Sequence, residues 1–280
     1  MAGHSPTFLV VAALLAGGVA TSAAIMRMLT FSGALAAFVV GFCTFGLGGA
    51  SFAVPLLAFF ISSSILSQLG GSRKAGSNSR YEKPAVRDAG QVLANGFVPA
   101  ILAVWFATTQ NTREVYLLYL AALAAVNADT WATEIGGLTK ARPWLVTTFR
   151  KVDPGTSGAV TIGGLAAALI GALFIAMSAW LVWPVKSSEL AWRIDAPEIL
   201  CITWAGFVAA YADSLLGASV QAQYRCVRCG AIVERREHCG VAAPPAGGVH
   251  WVTNDVVNLA ASAAGVGFGW ALLQFFAYPL

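Results

Sequence analysis

The chain has 280 residues, 58% of them hydrophobic and only 11% charged, with a mean hydropathy of +0.71 and a formal net charge of +4. Soluble domains carry roughly 25% charged residues, so the composition excludes an ordinary soluble protein and predicts a polytopic membrane protein. It also excludes nucleic acid as a partner, since there is no basic helix and no platform of interleaved aromatic and basic side chains.

Windows of about 17 to 25 apolar residues predict an all-α bundle of about eight spans. They fall near residues 7–26, 30–48, 51–67, 89–109, 114–138, 157–184, 198–217 and 253–278. The first lacks a preceding basic stretch and a small-residue cleavage site, so it is expected to be retained as a span rather than removed as a signal. Gly46 to Gly49 and Gly163-Gly164 suit close helix packing in lipid rather than linkers. The whole chain, 1–280, reads as one integral membrane domain, with residues 218–252 forming a cytosolic Cys/His-containing loop.

The basic residues alternate with the spans. With the N-terminus outside, Arg27, the stretch from Arg73 to Arg87, the stretch from Lys140 to Lys151 and the stretch from Arg225 to Arg236 all fall inside. Of the 17 basic residues, only Arg113, Lys186 and Arg193 are left outside, the asymmetry that sets orientation in membranes.

The polar residues of the spans share this bias. Arg87, Asp88, Gln91 and Asn95 open the fourth span; Asn127, Asp129, Thr130 and Glu134 lie late in the fifth; Thr156 and Thr161 flank the start of the sixth. Asp213 and Ser214 close the seventh, and Asn254, Asp255 and Asn258 open the eighth. All of these ends are cytosolic in the assigned topology. Ionisable residues inside spans are costly and mark sites or pathways. An ion conduit would carry polar groups through the full depth, so the pattern favours a site at the cytosolic interface.

The chemistry of these residues points to phosphate. Asp129-Thr130 and Asp213-Ser214 repeat one pattern, an aspartate followed by a hydroxyl, and paired carboxylates suit Mg²⁺, which completes its shell with water and phosphate oxygens. Gly155-Thr156-Ser157-Gly158 stands before the sixth span, where backbone N–H groups and the helix dipole favour an anion, although such a stretch also serves as a helix cap. Arg87 is placed to hold a phosphate bidentately, and Lys74 adds a point charge. No Walker A pattern is present, which argues against a P-loop enzyme. Cys226-x-x-Cys229 with His238-Cys239 has the spacing of a structural Zn²⁺ knuckle, with His250 as a substitute ligand.

Asn127-Ala128-Asp129-Thr130-x-Ala132-Thr133-Glu134-Ile135-Gly136 and Arg87-Asp88-x-x-Gln91-Val92-x-Ala94-Asn95-Gly96 together resemble the DUF92 family of integral membrane proteins, which includes plant phytyl-phosphate kinase. Gly155-Thr156-x-Gly158, Ala212-Asp213-Ser214-x-x-Gly217, Cys226-x-x-Cys229 with His238-Cys239-Gly240, and Trp251-x-x-Asn254-Asp255-x-x-Asn258 extend the resemblance over about residues 30–270. The resemblance implies that some members phosphorylate an isoprenoid monophosphate to the diphosphate, in apparent relation to CTP-using dolichol and phytol kinases. On that footing the expected activity is transfer of a phosphoryl group from CTP or ATP to a prenyl or phytyl monophosphate. Asp129, Glu134 and Asp213 would hold Mg²⁺, with Arg87 and Asp88 in the catalytic set. Lys74, Gln91, Asn95, Asn127, Thr130, Gly155, Thr156, Gly158, Ser214, Asn254, Asp255 and Asn258 would contact the substrates. Two other readings stand beside it: a transporter or flippase for an isoprenoid phosphate or similar anion, and a nucleotidyltransferase acting on a lipid phosphate.

Overall fold

The computed structural model describes residues 5–71, 86–109, 112–139, 141–182 and 194–277. Its helices are α1 (Pro6–Ile25), α2 (Phe31–Gly71), α3 (Ala89–Thr108), α4 (Thr112–Gly136), α5 (Ile162–Leu181), α6 (Ala196–Ser219) and α7 (Asn254–Leu272), the last followed by a π-helical turn, Leu273–Ala277. Among the described residues these seven are long and apolar enough to cross a membrane. Strands are confined to connections. One antiparallel pair, β1 (Trp144–Leu145) with β2 (Ala159–Val160), lies between α4 and α5; β3 (Gln223–Arg225), β4 (Ile232–Val233), β5 (Glu237–His238), β6 (Val241–Ala242) and β7 (Pro245–Gly247) lie between α6 and α7.

The second and third expected spans are two arms of α2. They meet at Gly49, whose φ of 69° and ψ of −162° interrupt the helix in a region that essentially only glycine occupies. The contacts show that the chain doubles back there. Gly33 lies against the backbone of Arg87 and Gly96 against Val40, so the first arm runs beside α3 in the same direction. The Phe52 carbonyl accepts from the Tyr119 hydroxyl at 2.6 Å, and Ser67 donates to Glu134 at 2.8 Å, so the second arm runs with α4. The Phe52 ring packs at a tilt against both Phe106 and Tyr116, where α3 ends and α4 begins. Since α3 and α4 are antiparallel, so are the two arms.

Helix α4 is the axis of the bundle. Its residues from Val115 to Ala128 are all buried, and it packs on α2, α3, α5, α6 and α7. A helix apolar on every face is stable only when other helices surround it. One of its tyrosines repairs the break in α2. Pro55 lacks the N–H that would pair with the carbonyl of Ser51, and Tyr116 donates its hydroxyl to that carbonyl at 3.0 Å.

At the other end of the bundle from Gly49, α3 begins with a capping box. The Asp88 carboxylate accepts from the Gln91 N–H at 3.0 Å, and the Gln91 side-chain oxygen accepts from the Asp88 N–H at 3.2 Å. The sixth expected span starts later than 157: residues 159–160 pair in the β1–β2 hairpin, and the Thr161 hydroxyl caps α5 by accepting from Gly164 N–H at 3.0 Å. The Gly155–Gly158 turn therefore does not sit at the helix N-terminus, and the cap belongs to Thr161.

Candidate functional site

A cavity of about 630 Å³ opens where the ends of the second α2 arm, α3, α4, α5, α6 and α7 converge. The convergence follows from the helix directions: α4 and α6 finish at this end, and α3, α5 and α7 start here. Of the residues singled out in the sequence, Arg87, Gln91, Asn95, Asp129, Thr130, Glu134, Gly155, Thr156, Gly158, Asp213, Ser214, Asn254 and Asn258 line the cavity.

Asp129 and Asp213, 84 positions apart in sequence, face each other across it. The charges of Asp129 and Glu234 both act on the Asp213 carboxylate, and its Oδ2 is buried with no hydrogen-bond partner among the described residues. A buried carboxylate oxygen left without a donor is costly and fits a cation ligand. The hydroxyls that follow each aspartate donate into their own helices, Thr130 to the Val126 carbonyl at 2.9 Å and Ser214 to the Ala210 carbonyl at 3.4 Å. This leaves their oxygen lone pairs as acceptors. Carboxylates and neutral oxygens of this kind are the donor set that Mg²⁺ prefers.

Glu134 accepts from Ser67, and its charge acts on Arg87, which lines the same cavity. Burial draws the Arg87 pKa down from its usual value, and the Glu134 carboxylate pushes it back up. The Arg87 backbone is fixed by pairing with Met28 and Thr30, at 3.0 Å each. The Gly155–Gly158 turn is pinned to α6. Gly158 has a φ of +72°, and a Cβ there would overlap the Ser214 carbonyl and the Ala218 amide; the Ser157 hydroxyl donates to Gln221 Oε1 at 3.1 Å.

Three expected site residues are placed elsewhere. Asp88 caps α3 and is not among the lining residues. Gln91 does line the cavity, but its side-chain oxygen is committed to the same cap, leaving its amide N–H groups for a ligand. Asn127 is fully buried beneath the cavity, donating to the Gly171 carbonyl at 2.7 Å and accepting from Ser62 at 3.4 Å, so it ties α2, α4 and α5 together. Asp255 lies in the first turn of α7 without lining the cavity. Lys74 falls outside the described residues.

The sequence reading missed Ser67, Tyr211, Gln221, Glu234 and Arg235, all of which line the cavity. Tyr211 stands one helical turn before Ser214, a spacing that signals a shared face. Glu234 and Arg235 carried no such signal, because the fold of the α6–α7 connection brings them in.

A second cavity, of about 360 Å³, lies between α1, the two α2 arms and α3. Its walls are Ala, Val, Leu and Phe side chains, with Arg87, Gln91 and Asn95 at one end. Those three residues line both cavities.

In the α6–α7 connection, the ligand atoms of Cys226, Cys229, His238 and Cys239 lie within 4.8 Å of one another, and His250 is not part of the group. A side-chain hydrogen bond with His238 pushes the Cys226 thiol down to about 6, and burial pushes the Cys239 thiol up.

The family model for integral membrane protein DUF92 matches residues 14–266. The chain is 30% identical to an uncharacterized membrane protein of Methanocaldococcus jannaschii over 80% of this chain and 84% of that protein. It is 28% identical to Protein PGR of Arabidopsis thaliana, over 91% of this chain and 92% of that one. It is also 24% identical to Protein VTE6, chloroplastic, of Arabidopsis thaliana, over 82% of this chain and 61% of that one. No solved structure matches the chain. With the model covering most of its length and the bundle carrying the motifs in order, the chain belongs to the DUF92 family of integral membrane proteins.

Proposed function

We propose that the protein is a membrane-embedded kinase that transfers the γ-phosphoryl group of a nucleoside triphosphate, CTP or ATP, to the phosphate of an isoprenoid monophosphate. The observation that carries this reading is the shared wall of Arg87, Gln91 and Asn95 between a carboxylate-lined cavity and an apolar one. A molecule with an anionic head and a long apolar tail fits that pair of spaces: its phosphate meets Arg87, its tail lies between α1, α2 and α3. The family resemblance to phytyl-phosphate kinase points the same way.

Asp129, Asp213 and Glu134 fit Mg²⁺, which when bound would neutralise charge on the nucleotide phosphates. Arg87 would orient the acceptor phosphate through a planar pair of N–H groups. The Gly155–Gly158 turn, which lines the large cavity, would lie beside the nucleotide phosphates. An oxygen of the acceptor phosphate attacks the γ-phosphorus, the bond from that phosphorus to the β-bridging oxygen breaks, and the nucleoside diphosphate leaves. The acceptor is already anionic, so no general base is required, and the work is positioning and charge neutralisation. The positive-inside bias of the basic residues supports a mouth on the cytosolic face, where nucleotide is available.

Purified protein in detergent, given labelled CTP or ATP and a panel of prenyl monophosphates, tests the reading. Labelled prenyl diphosphate that forms only with Mg²⁺ supports it. Transport of the lipid phosphate in liposomes with no phosphoryl transfer across the panel would overturn it in favour of a transporter. A product carrying the nucleotide, with release of pyrophosphate, would overturn it in favour of a nucleotidyltransferase.

A further inference from the structure

The connection between α6 and α7 is built from two hairpins whose tips meet. At the tip of β3–β4, Cys226 N–H donates to the Ala231 carbonyl at 2.9 Å and Gly230 N–H to the Cys226 carbonyl at 2.8 Å, with Gly230 at φ 74°. This tight turn puts Cys226 and Cys229 on one side. At the tip of β5–β6, Cys239 takes φ 55° and Gly240 φ 73°. A non-glycine residue in that region is uncommon, and here the Cys239 thiol lies against the ring of its neighbour. His238 Nδ1 lies 3.3 Å from Cys239 Sγ and 3.5 Å from Cys229 Sγ. A tetrahedral zinc ion with Zn–S near 2.3 Å and Zn–N near 2.0–2.1 Å implies an N···S edge of roughly 3.6 Å. The two measured edges come close to it before any ion is placed.

Two side-chain hydrogen bonds, from Arg228 to the Cys239 carbonyl at 3.3 Å and from Arg236 to the Tyr224 hydroxyl at 3.2 Å, join the hairpins, which otherwise share only a small core. Their apolar cluster consists of Ala222, Tyr224, Val233 and Ala243, with Ala231 against it. Units below about 40 residues seldom fold on so small a core without a metal or disulfides, and none of these cysteines is paired in a disulfide. Three thiolates and an imidazole are soft, closed ligands, the set used by structural zinc. Between the ligand-bearing tips run Glu234 and Arg235, which with Gln221 are the residues of this connection that line the large cavity, and the charge of Glu234 acts on Asp213.

We propose that Cys226, Cys229, Cys239 and His238 Nδ1 form a structural zinc site that clamps Glu234 and Arg235 against the cavity. The zinc site stands on its own geometry; the role of the clamp in turnover rests on the kinase reading above.

The test begins with metal analysis of the full-length protein purified without added metal. About one zinc per chain is expected, and Cys229→Ser and His238→Ala should both lose it, whereas His238→Cys, which restores a four-thiolate set, should keep it. Cobalt(II) exchanged into the wild-type protein should give the visible absorption of a tetrahedral thiolate complex, a readout that survives misfolding of the variants. Wild-type protein with only background zinc and no cobalt spectrum would overturn the site. For the clamp, removing zinc from wild type with a chelator should make the 221–252 segment sensitive to protease and lower phosphoryl transfer at least tenfold, with both effects reversed by zinc alone. Zinc loss that leaves protease sensitivity and turnover unchanged would overturn the clamp. Absence of phosphoryl transfer in a zinc-loaded, protease-resistant wild type would overturn the kinase reading and leave the zinc site standing.

Discussion

Replacing Asp213 with Asn probes the cation site through two opposing effects. In wild type without a cation, the buried Oδ2 of Asp213 has no hydrogen-bond partner among the described residues, and the charges of Asp129 and Glu234 act on it. At a separation of ~5 Å and an effective dielectric constant of ~20, one such carboxylate pair repels by roughly 3 kcal/mol. Asn keeps the volume and removes the charge, so the variant should be more stable than wild type in EDTA. For a chain of this size 1 kcal/mol corresponds to about 2 °C in melting temperature, which gives a rise of up to about 6 °C. With Mg²⁺ at about 100 times its dissociation constant, wild type gains about 2.7 kcal/mol, or about 5 °C, and the variant gains nothing. Phosphoryl transfer by the variant should fall at least about 100-fold, the scale seen when a single charge-stabilising group is removed. Combining it with Asp129→Asn should cost little more, because groups that hold one ion act as a unit. Thermal unfolding in detergent, with EDTA and then with Mg²⁺, reads the first pair of effects, and single-turnover assays read the rest. The reasoning fails if Mg²⁺ raises the melting temperature of the Asn variant as much as that of wild type, or if the two single losses multiply.

Three further outcomes are expected. Arg87→Lys keeps a charge but loses the planar pair of donors, so the KM for the lipid phosphate should rise about tenfold with kcat little changed. Burial at this position lowers the pKa of a cation, and lysine starts nearer neutrality than arginine. The KM defect should therefore widen as pH rises from 7 to 9, and a pH-independent KM would contradict this. Tyr116→Phe leaves the Ser51 carbonyl, already deprived of a helical donor by Pro55, without its hydroxyl partner. Unfolding free energy should drop by about 1–3 kcal/mol with turnover unchanged, as measured by denaturation alongside the transfer assay. Arg113→Met strips two N–H donors, at 2.8 and 2.7 Å, from the fully buried Glu198 near the start of α6. Denaturation should show a loss of about 3–5 kcal/mol, partly recovered by adding Glu198→Gln; an additive double variant would refute the pairing.

Much of the bundle was legible because its rules are local. Asp129 and Asp213 stand out as carboxylates in apolar runs, and the clustering of polar residues at one end of several spans follows from span direction alone. The cap at Asp88 was also legible: Asp followed three residues later by Gln is a capping-box signature, yet its charge beside Arg87 suggested catalysis instead. Asn127 misled for a related reason. It sits one turn before Thr130 and Trp131, but an amide at that depth satisfies the Gly171 carbonyl rather than a ligand. Glu234 and Arg235 were not legible at all. Their position depends on how the strands of the α6–α7 connection pair, a long-range event that leaves no periodicity in the chain. The break between the spans at 30–48 and 51–67 was legible, but Gly49 read as one more small packing residue among Gly46 to Gly49 rather than as the residue whose φ of 69° turns the chain back.

The reversal at Gly49 also bears on how the protein enters a bilayer. The two arms of α2 hold 18 and 22 residues on either side of that glycine, lengths of roughly 27 and 33 Å at ~1.5 Å per residue. Each suffices to cross the hydrocarbon core. The turn between them, Leu47-Gly48-Gly49-Ala50, carries no charge, so the hairpin can be inserted as one body without dragging an ionised loop through the membrane. On the far surface it would present almost nothing for a protease or a glycosyl acceptor tag to reach. A topology mapped by such reporters would therefore read α2 as a single crossing and invert the inferred side of every later loop. The direct backbone pairing of Met28 and Thr30 with Arg87 guards against that error, because residues bonded to each other must share a face of the membrane.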